Sequence, residues 1–434
     1  MFTPHYQPHE GCETIFTVDP RPVKFGPGAI AEIGFDAAAL GMTRVALFTD
    51  RNVAGLEPFG TAVEALRQAG IEIELYSRTQ VEPTNESFAE ATDFIRAGDF
   101  DGFISIGGGS VIDTAKAANL FASHPQDLLY YVNQPIGEGQ PVPGPLLPHI
   151  ACPTTSGTGS ESTGVAVFDL LTHKLKTGIS SKYMKPSLGI IDPQFTYSLP
   201  PLVTAATGFD VLTHAIESYT ALPYTRRTRA PEPARRPPYQ GANPHSDIGA
   251  LEAIRLGGEF LLRAVTQADD TQARNAMSFA ATLAGVSFGN SGVHIPHAMS
   301  YSVAGMIHDY HPPGWPANHS LCPHGISVVV NAPAAFRFTG PSHPERHLRV
   351  AGLLGAAIDG VADQKAGECL AQQLIDMMKA AGIPNGLQDL NYAEADIPGL
   401  AAGAHAQQRL LATSPVSVSL EDLARLYADA IHYW

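Results

Sequence analysis

Phe103-Ile104-Ser105-Ile106 runs directly into Gly107-Gly108-Gly109-Ser110 and then into Val111-Ile112-Asp113-Thr114-Ala115-Lys116. An apolar run, three glycines and a helical pattern, in that order, commit this part of the chain to a strand–turn–helix unit. The glycines let the backbone approach a ligand closely, and the helix start offers unpaired N–H groups and a positive dipole end to a diphosphate. Gly-Gly-Gly-Ser is not the G-x-G-x-x-G fingerprint, so the segment reads either as a phosphate loop or as an ordinary glycine-rich turn.

The flanking sequence repeats the rhythm. Val45-Ala46-Leu47-Phe48 and Ile71-Glu72-Ile73-Glu74-Leu75 have strand patterns, and 61–69 and 86–97 have helical ones. Alternation of this kind predicts an α/β domain with a mostly parallel sheet, taken here as residues 1–200. Asp50 ends an early strand, where doubly wound sheets read a nucleotide ribose. A carboxylate there accepts from a ribose hydroxyl and repels a 2′-phosphate, which favours NAD over NADP. The alternative for Asp50 is a solvated strand-end acid. A second polar glycine loop, Pro153-Thr154-Thr155-Ser156-Gly157-Thr158-Gly159-Ser160-Glu161, follows the apolar His149-Ile150-Ala151-Cys152. It reads as a loop wrapping a cofactor at a strand end, with a solvated linker as the alternative.

Beyond Pro200-Pro201 the segments 203–220, 246–267, 271–288, 344–358 and 369–381 carry helical patterns with few strand candidates. An all-α domain over 201–434 is expected. Asp210 and His214 are four apart, which on a helix places both on one face within reach of a common ion. His294, His297, His319 and His324 follow among prolines; spacing alone does not say which of them converge. One carboxylate with imidazoles and no thiolate suits Fe²⁺ or Zn²⁺ with positions left open. Together with a nicotinamide, such an ion points to alcohol–carbonyl interconversion.

Composition narrows the alternatives. The 434 residues hold 42 Asp+Glu against 27 Lys+Arg, a net charge of −15, which excludes nucleic acid as a partner because phosphate neutralisation needs a basic face. No apolar run reaches a membrane span. The scattered Cys12, Cys152, Cys322 and Cys369 form no disulfide framework, and the N-terminal residues resemble neither a signal nor a transit peptide, so a cytoplasmic protein is expected. The charge reverses locally in 223–244, an irregular excursion with Arg226, Arg227, Arg229, Arg235 and Arg236.

Taken in order, Gly107-Gly108-Gly109-Ser110-x-x-Asp113, the 153–161 loop, Gly208-Phe209-Asp210-x-x-x-His214-Ala215-x-Glu217 and His297…His324-Gly325 resemble the iron-containing (group III) alcohol dehydrogenases. Val81-Glu82-Pro83-Thr84, the 285–301 stretch and the excursion ending Tyr239-Gln240-Gly241 are similar to one branch, the hydroxyacid-oxoacid transhydrogenases. The resemblance implies a dinucleotide-binding α/β domain and a helical metal-binding domain, together a dehydroquinate-synthase-like fold. It implies Asp210, His214, His297 and His324 as ligands of a divalent metal, iron first and zinc second. It implies Asp50, Gly108, Gly109, Ser110, Asp113, Thr154, Thr155, Thr158 and Lys176 as NAD-binding residues. Where many members have a second His four residues after His297, this chain has Tyr301, a candidate catalytic phenol able to donate a hydrogen bond but a poor base. The implied reaction converts 4-hydroxybutyrate and 2-oxoglutarate to succinic semialdehyde and 2-hydroxyglutarate through bound NAD. The alternative is an NAD-dependent dehydrogenase of small alcohols. A homo-oligomer is expected. Because these substrates are carboxylates, one or more of the five excursion arginines is expected to hold them.

Overall fold

The computed structural model describes residues 4–173, 175–315 and 320–434. Among the described residues eight strands form, all before residue 192: β1 Val23–Phe25, β2 Arg44–Phe48, β3 Glu72–Tyr76, β4 Gly102–Gly107, β5 His149–Pro153, β6 Val165–Leu170, β7 Leu175–Ser180 and β8 Leu188–Ile191. Six make one sheet in the order β1-β8-β5-β4-β2-β3, parallel throughout. Helices lie on both faces, so β4 is buried along its whole length and reads as a continuous apolar run. Local signals agree with this layout. Thr84 and Ser87 exchange side-chain and backbone hydrogen bonds at the start of helix Asn85–Ala97, a complete capping box.

The chain steps outward from β2 to β3 and returns to place β4 on the other side of β2. The β2/β4 boundary is therefore the point where strand order reverses, the crevice at which open α/β sheets bind nucleotides. Asp50 follows β2, and the glycine loop follows β4.

β6 and β7 form a separate antiparallel hairpin that the sequence pattern does not announce. In β7 the residues from Lys176 to Ile179 are all buried, so the alternation expected of a half-exposed strand is missing.

Residues 20–199 form one compact unit, and 200–434 form a second that also includes residues 4–19. Those first residues were expected in the α/β domain. They pack instead on the helical unit, where Tyr6 donates to Asp247 Oδ2 at 2.6 Å and the Glu13 N–H donates to Arg227 O at 2.8 Å. In the helical unit, helices Pro201–Thr220, Pro244–Thr266 and Thr271–Ser291 pack against one another. Glycine permits their close approach: a Cβ on Gly208 would lie 2.2 Å from Leu261, and one on Gly257 2.3 Å from Leu212. The helix expected over 344–358 stops at Leu353, because Gly355 takes a left-handed conformation with φ 105°.

Candidate functional site

Four ligand-type side chains from three helices meet in the helical unit. Helix Pro201–Thr220 carries Asp210, His214 and Glu217, spaced i, i+4, i+7 on one face. Helix Ile295–Gly305, begun by Pro296, carries His297 and Tyr301. Helix His324–Val329 begins with the third imidazole. That last helix lies directly on the first, because Gly325 has no Cβ; one built there would sit 1.9 Å from the Ala206 carbonyl oxygen. Glycine at 325 is thus what brings His324 to Asp210.

Ligand atoms of Asp210, His214, His297 and His324 all lie within 4.8 Å of one another. Asp210 Oδ1 is 3.7 Å from His214 Nδ1, 3.5 Å from His297 Nε2 and 3.9 Å from His324 Nε2. These separations are too long for good hydrogen bonds. Asp210 Oδ1, His214 Nδ1 and His297 Nε2 are buried with no hydrogen-bond partner. Three orphaned polar atoms converging on one point carry a large desolvation cost that a shared cation removes. The donor set, one carboxylate and three imidazoles, fits a divalent first-row metal.

Glu217 orients the set. It is fully buried; Oε2 accepts from His297 Nδ1, and Oε1 accepts the His294 backbone N–H at 2.7 Å. A carboxylate behind the imidazole fixes its tautomer and turns Nε2 toward Asp210. Burial would depress the His297 imidazolium, but Glu217 and Asp210 lift it to about 9. Burial opposes ionisation of Asp210 as well, yet the surrounding imidazoles hold its carboxyl below the usual range. His214 is pushed down to about 3 by burial and stacks on Phe288 at 3.9 Å, which fixes its ring plane. Sequence reasoning gave Glu217 no role, although its place one turn beyond His214 on the same face was the available signal.

The other histidines separate cleanly. His294 bonds Thr220 Oγ1 at 3.1 Å through Nε2 and lies behind Glu217 rather than among the ligand atoms. His319 lies outside the described residues. A second group with metal-type ligands, His5, His343 and Glu345, stands beside Arg226 and Arg346, whose charges oppose a cation.

In the α/β unit the two polar loops touch. The Thr154 N–H donates to Gly107 O at 3.1 Å, and Thr158 packs where a Gly109 Cβ would intrude at 2.7 Å. A Cβ on Gly108 would meet nothing closer than Thr155 at 3.7 Å, so the backbone there is open at the start of helix Gly109–Ser123. Ser110 Oγ accepts the Glu82 backbone N–H at 3.2 Å. Asp50 uses Oδ1 to cap its own turn, accepting from Asn52 and Val53 N–H at 2.8 and 3.0 Å.

Two of the residues expected at the cofactor make extensive protein contacts. Asp113 accepts from Ser160 Oγ and, at 2.9 Å, from the Val167 N–H, while buried Lys116 donates to Ser160 Oγ at 2.7 Å. Asp113 thereby ties the second loop to the first helix. Lys176 is buried, 2.6 Å from Glu82 and 3.0 Å from Asp169, its cross-strand neighbour. Glu82 itself holds a left-handed backbone, φ 54°, so this ion pair anchors a strained residue next to Ser110.

The excursion arginines also find partners within the helical unit. Arg226 bonds His9 Nδ1 at 2.7 Å, Arg227 bonds the Tyr239 carbonyl, and Arg236 pairs with Glu13 at 3.1 Å. Arg229 and Arg235 are exposed.

Residues 20–193 match the iron-containing alcohol dehydrogenase family, and 239–431 match the C-terminal part of the Fe-containing alcohol dehydrogenase family. The chain is 47% identical over 407 residues to the mitochondrial hydroxyacid-oxoacid transhydrogenase of Bos taurus, covering 93% of this chain and 87% of the bovine one. Its fold is similar to the crystal structure of a 1,3-propanediol oxidoreductase, with TM-score 0.84, 29% identity and coverage of 96% and 100% of the two chains. It is also similar to sulfoacetaldehyde reductase from Bifidobacterium kashiwanohense in complex with NAD⁺, with TM-score 0.77, 26% identity and coverage of 96% and 99%. The expectation of a cytoplasmic protein is overturned by the bovine relative, which is named as mitochondrial. Import is read from a targeting segment, so the composition of folded domains carries no information about it.

Proposed function

We propose that this chain, which belongs to the iron-containing alcohol dehydrogenase family, is a hydroxyacid-oxoacid transhydrogenase. It is an oxidoreductase that moves a hydride from a hydroxyacid to an oxoacid through NAD that stays bound between the two half-reactions. The substrate pair is 4-hydroxybutyrate and 2-oxoglutarate, giving succinic semialdehyde and 2-hydroxyglutarate. The observation carrying this reading is identity near one half along 93% of the chain with a relative of that name. The convergence of orphaned ligand atoms at Asp210 supports it.

In this reading Asp210, His214, His297 and His324 would hold the metal, with Glu217 keeping His297 in its ligating tautomer. Iron is favoured over zinc by the family name. Gly108, Gly109 and the N-terminal end of helix Gly109–Ser123 would receive the diphosphate of NAD, and Asp50 the ribose. Ser110, Thr154, Thr155 and Thr158 line the same pair of loops, whereas Asp113 and Lys176 shape those loops from behind. Tyr301, one turn from His297, donates a hydrogen bond rather than acting as a base. When bound, NAD would supply the hydride acceptor and donor, and the divalent ion would supply electrostatic stabilisation of negative charge on the substrate oxygen.

Purified protein mixed with 4-hydroxybutyrate and 2-oxoglutarate, with no added NAD, tests the proposal. Formation of 2-hydroxyglutarate is the expected result. Turnover that needs added NAD and accumulates NADH would instead identify a plain alcohol dehydrogenase.

A further inference from the structure

Two arginines of the helical unit look alike in their aromatic surroundings and differ in charge. Arg346 lies 3.5 Å over the Tyr219 ring, bonds the Tyr219 carbonyl at 2.7 Å and is closed by an ion pair to Asp247 at 2.5 Å. Arg409 lies 5.0 Å over the Tyr239 ring and also interacts with the phenol groups of Tyr239 and Tyr301. No carboxylate among the described residues pairs with it. A partly buried guanidinium without a counter-ion is costly, and its planar fork of donors matches a carboxylate bidentately.

Its position gives that fork a purpose. Arg409 sits on the short helix Gln408–Leu411, which packs on helix Ile295–Gly305. The phenol it touches, Tyr301, is four residues and so one turn beyond His297 on that helix. The segment is pinned: Thr413 Oγ1 donates to Val293 O, and the Leu222 N–H donates to Thr413 O at 2.8 Å. Tyr239 comes from the end of the arginine-rich excursion. Gly292 makes room for it, since a Cβ there would stand 2.9 Å from the Tyr239 Cβ. The excursion thus contributes an aromatic plate for Arg409, while its own arginines are engaged with the N-terminal residues, engaged with Tyr239 O, or exposed.

We infer that Arg409 is the substrate-carboxylate clamp and sets specificity for acids over neutral alcohols. The inference rests on the transhydrogenase reading above. In 4-hydroxybutyrate the carboxylate carbon is three bonds from the carbon that loses the hydride. In 2-oxoglutarate the distal carboxylate carbon is three bonds from the carbon that receives it. One fixed cation beside Tyr301 would therefore serve both half-reactions, which a chain alternating between two substrates in one site requires.

The test compares kcat/KM for 2-oxoglutarate with kcat/KM for a neutral aldehyde, butyraldehyde, in the metal-loaded holoenzyme and in Arg409→Met and Arg409→Lys. The ratio is expected to fall on the order of 100-fold in Arg409→Met and about 10-fold in Arg409→Lys, which keeps charge but loses the fork. An arginine that only staples Tyr239 would slow both substrates together and leave the ratio where it was; that result overturns the inference. If Arg409→Met does not fold, Arg409→Lys carries the test alone. A wild-type enzyme inert toward both acids overturns the functional reading and this inference with it, whereas an active wild type with unchanged ratios overturns this inference only.

Discussion

The α/β unit and the ligand cluster of the helical unit both bury charge, and they do so in opposite ways. In the first, Lys116 is enclosed by Ser160, Asp113 and the Val165 carbonyl, and Lys176 by Glu82 and Asp169. In the second, Asp210, His214 and His297 each leave a buried polar atom unbonded, and Arg409 lacks an acid. Buried charges that satisfy one another shape a scaffold; buried polar groups left unsatisfied mark where a ligand belongs. The same contrast sorts the residues expected at the cofactor. Asp113 and Lys176 belong to the closed kind, so they hold loops in place, while the backbone at Gly108 is left open.

Breaking the open cluster should have the largest effect. His297→Ala removes the imidazole that Glu217 aims at Asp210, and kcat is expected to fall on the order of 10³-fold or more, with bound metal lost in elemental analysis. Retained turnover would remove His297 from the ligand set. Breaking a closed cluster should act on stability instead. Lys116→Met leaves Asp113 buried without its cation and should cost about 3–5 kcal/mol by denaturant titration, while the metal content of the helical unit stays at the wild-type level.

Glu217→Gln probes the step between these extremes. The side chain keeps its shape but loses the charge behind His297, so metal affinity should weaken roughly 10- to 100-fold in competition with a chelator. Affinity at the wild-type value would show that packing, not the carboxylate, orients the ring.

The smallest effect concerns a closed pair in the helical unit. His347 bonds Thr339 Oγ1 and His343 O, each at 2.9 Å, and burial holds its imidazolium down to about 4. This folded value lies below the unfolded one of about 6.5, so acid protonates the unfolded chain first. Stability is then lost as pH falls from about 6.5 toward about 4, at roughly 1.4 kcal/mol per pH unit from this group. The slope of unfolding free energy against pH should be shallower over that window in His347→Gln than in the wild type. Parallel slopes would mean that the ring is charged in the folded state.

Much of this was readable along the chain. The glycine loop, the strand before it and the Asp210/His214 pair are local patterns: each depends on spacing within one turn or one strand, and such spacing survives folding unchanged. The β6/β7 hairpin was not readable, because its inward Lys176 takes its partner Glu82 from a segment 94 residues away. Nor was the boundary at residue 20. The first residues join the helical unit through Tyr6 and Glu13, whose partners Asp247 and Arg236 lie more than 200 residues along. The arginine-rich excursion shows the limit most plainly. Its charge was visible, but charge alone did not reveal that its arginines are engaged near the N-terminus, engaged with the Tyr239 carbonyl or exposed, while its tyrosine flanks Arg409.

Local pattern along the chain thus settled the two kinds of architecture, the strand–glycine-loop–helix unit and the helix face that carries the first two metal-type ligands. All of these follow from periodicity and from the conformations that glycine and proline allow or forbid. Spacing left open which of the histidines converge, although the family resemblance named His297 and His324; the packing of the helices brings these two to Asp210, sets Glu217 behind His297 and places Arg409, rather than an excursion arginine, beside Tyr301. Those choices turn on which helices lie against each other. Contacts such as Gly325 on the Ala206 carbonyl settle that packing, and they join residues whose separation in the chain carries no pattern.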